Sequence, residues 1–361
     1  MSSDKTRLLA LYDVDKQARS LLEQGRPGDA LAAVDDCLAS LAAAGIALPA
    51  DKSIVSSVRR VRAKALVALG RKDEARATLN EVVRDPLLRT AGSLELGILL
   101  EALTLRSALA ESDDLDAALV DLERVVRLER SHRERVEPLC RMALLWARRG
   151  VAPLALRTIA LVTGPADFSH TGHYHEGLVA LELGEPERAR AIFETIVQKK
   201  RKAAPLAAAA LERLAEARPT RAPRVDASAE LAAADALRAA GRCDEARAAF
   251  RACLRKDPLA AAAALGLGAL LLDASGEAPR APGPDDDALD EAEHFLELAT
   301  VLAPERALAH ELRGRVHERR GAHAAAREAF ERALALDPGS ASVRSGLARA
   351  LTALGLAGAA E

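Results

Sequence analysis

The stretch FSHTGHYHEG, Phe168 to Gly177, places His170, His173 and His175 beside Glu176, in a chain with only 8 histidines among 361 residues. Imidazoles and a carboxylate this close could ligate a metal ion or exchange protons at neutral pH. The spacing limits that chemistry. On a helix, where successive residues turn by about 100°, His170 and His173 share a face while His175 lies about 140° from His170. Three ligands on one helix therefore do not converge. The alternative is an ordinary helix with imidazoles on its polar side, and the elements around the stretch decide between the two.

No other constellation competes. The sequence has no Gly-rich phosphate loop, GxSxG elbow, HExxH helix or paired CxxC set. His310-Glu311 and His317-Glu318 begin like HExxH but continue Leu-Arg-Gly and Arg-Arg-Gly. Cys37, Cys140, Cys243 and Cys253 lie inside helical patterns and are expected to be small buried hydrophobes of a reducing cytoplasm. Asp285, Asp286 and Asp287 lack the alternating ligands and central Gly of a calcium loop, and fit the start of a helix, whose dipole favours carboxylates. No cofactor and no metal are expected.

Composition sets the class. Half of the residues are hydrophobic but only 2% are aromatic, so the buried surface must come from Ala, Leu and Val, the first two strong helix formers. A net charge of -2 supplies no field toward nucleic acid or an anionic membrane. The basic stretch from Lys199 through Arg224 carries no interleaved aromatics for base stacking, so a solvated helix end and linker explain it, and no nucleic-acid partner is expected. The first twenty residues alternate charge with Leu and Val, unlike a signal peptide, and no run of about 18 apolar residues predicts a membrane span.

Internal repetition is the strongest signal. Ala227 to Pro258 and Ala307 to Pro338 are built alike: Gly241, Ala246, Phe250, Asp257 and Pro258 correspond in spacing to Gly321, Ala326, Phe330, Asp337 and Pro338. A Gly just past a helix can take the left-handed conformation that ends it, and Pro at the start of the next helix loses no hydrogen bond. Ala and Phe four apart share a face, the first admitting a neighbouring helix and the second filling the space beside it. Each unit is thus a helical hairpin whose apolar face needs a stacked neighbour. Looser copies follow Gly25, Gly70, Gly150 and Gly184, Asp114 to Arg130 reads as another second helix, and the unit from Pro258 keeps Gly268, Ala292 and Leu296 around an insertion.

These segments resemble tetratricopeptide repeats, most closely in the last third of the chain. The resemblance implies an all-α fold, a superhelical α-solenoid of tetratricopeptide-like helix-turn-helix repeats with a C-terminal capping helix over residues 340–356. The Pro- and Arg-containing segment 218–225 is expected to separate an N-terminal array, 1–217, from a C-terminal array, 226–361, which carries the acidic Pro/Gly-rich insertion 273–287. His310, Arg313 and His317 stand where the family has large apolar residues, and His173, four residues before Gly177, stands where it buries an aromatic.

The resemblance further implies a non-catalytic scaffold or adaptor whose first helices line a concave groove for a peptide or helix of another protein. Other readings are a structural subunit of a larger bacterial assembly, a peptide-sensing regulator and an enzyme. In the repeat frame the groove candidates are Arg60, Lys64, Arg141, Arg148, Tyr174, His175, Asp235, Arg238, Glu311, Arg315 and Glu318. The N-terminal candidates lean basic, which would suit an acidic or phosphorylated segment. The family's carboxylate clamp of Lys, Arg and Asn does not carry over, because the single Asn, Asn80, falls on a second helix.

Overall fold

The computed structural model describes residues 2–43, 53–90, 93–163, 171–200, 202–214, 226–275 and 286–356. Its helices pair as hairpins: α1 (Ser2–Glu23) with α2 (Pro27–Ala43), α3 (Ile54–Ala68) with α4 (Lys72–Val83), and α6 (Ser93–Ala110) with α7 (Leu115–Leu128), after the single turn α5 (Leu87–Thr90). Then come α8 (His132–Arg149), α9 (Ala152–Ala160), the hairpin of α10 (Thr171–Glu182) and α11 (Pro186–Gln198), and α12 (Ala204–Leu214), which packs on α11. The last hairpins are α13 (Ser228–Ala239) with α14 (Cys243–Lys256), α15 (Ala261–Ala274) with α16 (Asp286–Leu302), and α17 (Ala307–Arg319) with α18 (His323–Leu336). A final helix, α19 (Ala341–Ala353), caps α18. The described residues contain no strand, and the fold is an all-α solenoid of hairpins.

The turns form where glycine permits them. Gly25, Gly70, Gly150, Gly184, Gly241 and Gly321 all have φ between 69° and 85°. Gly70 shows the resulting double closure: its N–H bonds the carbonyl of Val67 at 3.0 Å, and the N–H of Arg71 bonds that of Leu66 at 2.9 Å. Where glycine is absent a side chain substitutes, and Asp114 accepts from the N–H of Ala117 at 3.1 Å to start α7. Each Asp-Pro closes its hairpin through the aspartate: Asp257 accepts from the N–H of Leu259 at 3.1 Å, and Asp337 from that of Gly339 at 3.1 Å. The prolines therefore sit in the turns, and the next helices begin at Ala261 and Ala341.

Contacts divide the chain into two compact units within α8, the first ending at Pro138 and the second beginning at Leu139. The linker expected at 218–225 lies outside the described residues, as does most of the insertion, residues 276–285. In the first unit an aliphatic core runs from Leu11 and Val14 through Val58, Leu66 and Leu79 to Leu99, Leu103 and Val125. In the second, Phe193 centres one cluster with Ala180, Ala189 and Ile196, and Phe330 another with Ala326, Ala333, Val343 and Ala350.

The packing seat is a small residue seven positions before each turn glycine. Gly177 lies so close to Phe193 that a Cβ there would sit 2.3 Å from the ring. Phe330 is held from both sides, since a Cβ on Gly314 or on Gly346 would approach its ring to 2.7 Å. Elsewhere the seat is Ala with a smaller partner: Ala18 with Val34 and Ala63 with Leu79, all fully buried in one core.

One local expectation is corrected, that of four buried cysteines. Cys243 is exposed, because it opens α14 right after the hairpin turn, whereas Cys140 and Cys253 are buried and Cys37 is half-buried. His317 and Arg313 do not disturb the register of α17, as Gly314 still faces Phe330. His317 is buried instead against acids of α16, with Nδ1 3.7 Å from a carboxylate oxygen of Glu293.

Candidate functional site

The histidine stretch becomes the first two turns of α10, which starts at Thr171 and leaves His170 outside the described residues. His175 points its Nδ1 at the carbonyl of Thr171, 2.9 Å away and one turn back, and meets the edge of Tyr174 with ring centroids 5.5 Å apart. Tyr174 in turn leans on Phe193 at 5.8 Å. His173 borders an open cleft of about 270 Å³ between α10 and α11, floored by Ile192 and Ile196 and edged by Arg188 and Lys199. Arg188 there is held by Glu185 and Glu176 at 3.0 and 3.2 Å. Among the described residues no group of three or more His, Cys, Asp or Glu is placed to hold a metal ion.

The groove candidates lie on the first helices, as the repeat frame requires, and several are bonded to the next first helix along the array. Arg60 and Lys64 of α3 both pair with Glu101 of α6. Burial works against the Glu101 carboxylate, but Lys64 and Arg60 outweigh it and hold its pKa below the ordinary range. Ser57 of α3 donates to Asp15 of α1 at 2.9 Å, and Arg19 of α1 donates to Ser57 at 2.8 Å. Arg148 of α8 reaches Glu182 of α10 at 3.1 Å. At the far end, Glu318 of α17 accepts two bonds from Arg349 of α19, the longer 2.9 Å, and Glu311 accepts from Ser342 at 2.9 Å.

The basic lean expected of the N-terminal candidates is therefore partly offset by Glu101 and Glu182 from neighbouring helices, which a frame read one helix at a time does not include. Asp235 and Arg238 pair with each other within α13 at 3.0 Å. Arg141 is half-buried on α8, one residue beyond fully buried Cys140. Arg315 is half-exposed on α17, between Glu311 and Glu318, and has no ion-pair partner among the described residues. The candidates form several separate pairs along the array and do not converge on one catalytic point.

One cluster escaped sequence reasoning. Asp290, Glu293 and Glu297 follow each other at helical spacing on α16 and meet cations of α17 and the residue after it: Arg320 bonds Asp290 at 2.5 Å and also pairs with Glu293, while Arg313 lies 3.8 Å from Glu297. Burial lowers the pKa of His317 in this cluster, against the pull of Glu293, and Arg313 and Arg320 add to the lowering. The available signal was joint: acids at 290, 293 and 297 opposite the unexpected polar residues Arg313 and His317. On its other side α16 carries His294, stacked on Trp146 of α8 with centroids 5.1 Å apart and planes 17° apart.

Comparison with known proteins follows the same division. Tetratricopeptide repeat models match residues 174–233, 231–294 and 307–340. No curated protein matches the chain. Among solved structures, the chain is similar to the P58(IPK) TPR domain, at 15% identity, covering 96% of this chain and 98% of that one with a TM-score of 0.30. A tetratricopeptide repeat protein of Parabacteroides merdae shares 16% identity over 82% of this chain and 98% of its own, with a TM-score of 0.34. The C-terminal part of a TPR repeat-containing protein of Cytophaga hutchinsonii shares 13% over 92% and 99%, with a TM-score of 0.36. Such overlaps carry no weight for how the hairpins are arranged. The turn glycines, the small-residue seats and the matched models agree, and the chain carries tetratricopeptide repeats over residues 174–294 and 307–340.

Proposed function

We propose that the protein is a non-catalytic scaffold or adaptor, cytoplasmic, which binds a peptide or helix of another protein along the concave line of its first helices. Tetratricopeptide repeats generally mediate protein–protein interaction. The observation that carries the reading is the contrast along that line. On α3 Arg60 and Lys64, and on α17 Glu311 and Glu318, are charged and bonded to the next first helix, whereas on α10 the same positions hold Tyr174, Leu178 and Leu181, apolar and only partly buried. A half-exposed apolar strip, packed on its inner side against the Phe193 cluster and lying between polar, internally bonded stretches, suits the apolar side chains of a partner, with charged groups on either side setting its register. An acidic partner segment would meet Arg315, the candidate cation that keeps no ion pair among the described residues.

Affinity capture from the native cell tests the reading, comparing wild type with Leu178→Asp and with Arg60→Glu/Lys64→Glu. Leu178→Asp is expected to deplete the captured partner at least about tenfold, as loss of an apolar anchor does. The Arg60/Lys64 variant is expected to act mainly through stability, because it leaves Glu101 without its cations. Full recovery with a folded Leu178→Asp protein would refute the α10 strip.

A further inference from the structure

Two helices of the second unit are buried on more sides than a solenoid helix needs. In α14 and α18 the outward side remains open, at Asp244, Glu245 and Ala248 and at Glu328, Glu331 and Arg332. In α16, from Asp287 to Leu302, no residue is exposed. From Leu139 to Arg149 of α8 only Arg148 is exposed. The two helices meet: Trp146, 2% exposed, stacks on His294, which is 0% exposed, and Arg157 of α9 pairs with Glu297 across 140 residues of sequence.

We propose that α16 is a strap that fastens the C-terminal repeats, α13 to α19, to α8 and α9, and that it can be released with both sides still folded. Each side is internally complete. The C-terminal repeats stack through Gly266 against Phe250, Gly268 against Leu296, and Gly314 and Gly346 against Phe330. The α10 and α11 hairpin has its own seat at Gly177 and Phe193. The acids of α16 keep counterions when the strap opens, since Glu297 retains Arg313 and Asp290 and Glu293 retain Arg320. The contacts that fasten the strap include a ring stack and an ion pair whose arginine side chain is 56% exposed, the latter a contact that dissolved salt weakens. Release changes how the repeats on either side of 215–225 are held, and so is a means of regulating access to them.

Trp146 is the single tryptophan of the chain, so its fluorescence reads the strap directly in the intact protein. Arg157→Glu sets two carboxylates against each other, and His294→Ala removes the stacked ring. Both are expected to shift Trp146 emission to the red and to raise acrylamide quenching about threefold, while far-UV circular dichroism stays at the wild-type level, as expected of a shift between two folded arrangements. Arg157→Lys, which keeps the charge, should stay as protected as wild type. Unchanged quenching in both disruptive variants overturns the proposal, because the contact then does not hold the strap. Loss of helicity in both overturns it too, because the contact would belong to the core of a single folding unit.

Discussion

The seats that lock successive helices differ between the two ends of the chain. Phe330 fills a slot made by two glycines, Gly314 on its own hairpin and Gly346 on the capping helix, and no Cβ fits at either. In the first unit Ala63 takes the place of Gly314 and Leu79 that of Phe330, both at 0% exposure. A larger seat faces a smaller knob, so the helices approach with the same frame but different shapes. Volume is conserved by pairs, and the pair is what defines the repeat here. The family models match 307–340, where the glycine and the aromatic are both present, and do not match the aliphatic hairpins before 174.

The largest effect should come from emptying the aromatic slot. Phe330→Ala is expected to cost about 3–5 kcal/mol of unfolding free energy, releasing α19 first, as measured by denaturant unfolding with hydrogen exchange. Filling the slot from the other side is next: Gly314→Ala should destabilise by about 1–3 kcal/mol, although alanine is the better helix former. Adding Phe330→Leu should recover part of that loss, because the pair then matches Ala63 and Leu79. Gly97 of α6 provides the inverse, since a Cβ there meets nothing within 4 Å. Gly97→Ala should stabilise by about 0.5–1 kcal/mol, and an equal sign for Gly97→Ala and Gly314→Ala would break the comparison.

The units should also part in their response to acid. Burial lowers the pKa of His317, so the folded protein favours its neutral form. Stability is then fully present above the unfolded value of about 6.5 and declines as pH falls through the depressed folded value. Denaturant midpoints for α17 probes should drop between pH 7.5 and 5.5, and His317→Gln should flatten that slope while His310, lowered in the same direction, leaves a residue of it. The smallest effect belongs to the exposed ladder. Arg349→Ala, which frees Glu318, should cost no more than about 1 kcal/mol and less in high salt.

Most of the local architecture is written in short-range signals. Six turn glycines mark their hairpins and all take positive φ, Asp114 starts α7, and the segment after Ser340 forms the cap, with Ser340 accepting from the N–H of Val343 at 3.4 Å. These features depend on residues a few positions apart, so spacing alone reveals them. Asp85-Pro86 is a third copy of the Asp-Pro turn, with Asp85 accepting from the N–H of Leu87 at 3.0 Å, and is legible by the same spacing. The ion pairs between first helices were not legible, because Arg60 and Glu101 are brought together by the packing of α3 on α6 and share no local pattern. The stack of Trp146 on His294 was hidden for the same reason, at a separation of well over a hundred residues. The candidate groove was thus visible as a set of positions, while which of them bond a neighbouring helix needed three dimensions.

The claim that the half-exposed apolar strip of α10 receives a partner can be measured by placing a photo-crosslinking amino acid at Leu178 and, in a separate protein, at Glu331 on the exposed side of α18. Irradiation in the native cell is predicted to give a discrete protein adduct from position 178 and none from position 331. Adducts from 331 alone, with 178 silent in a folded protein, would contradict it.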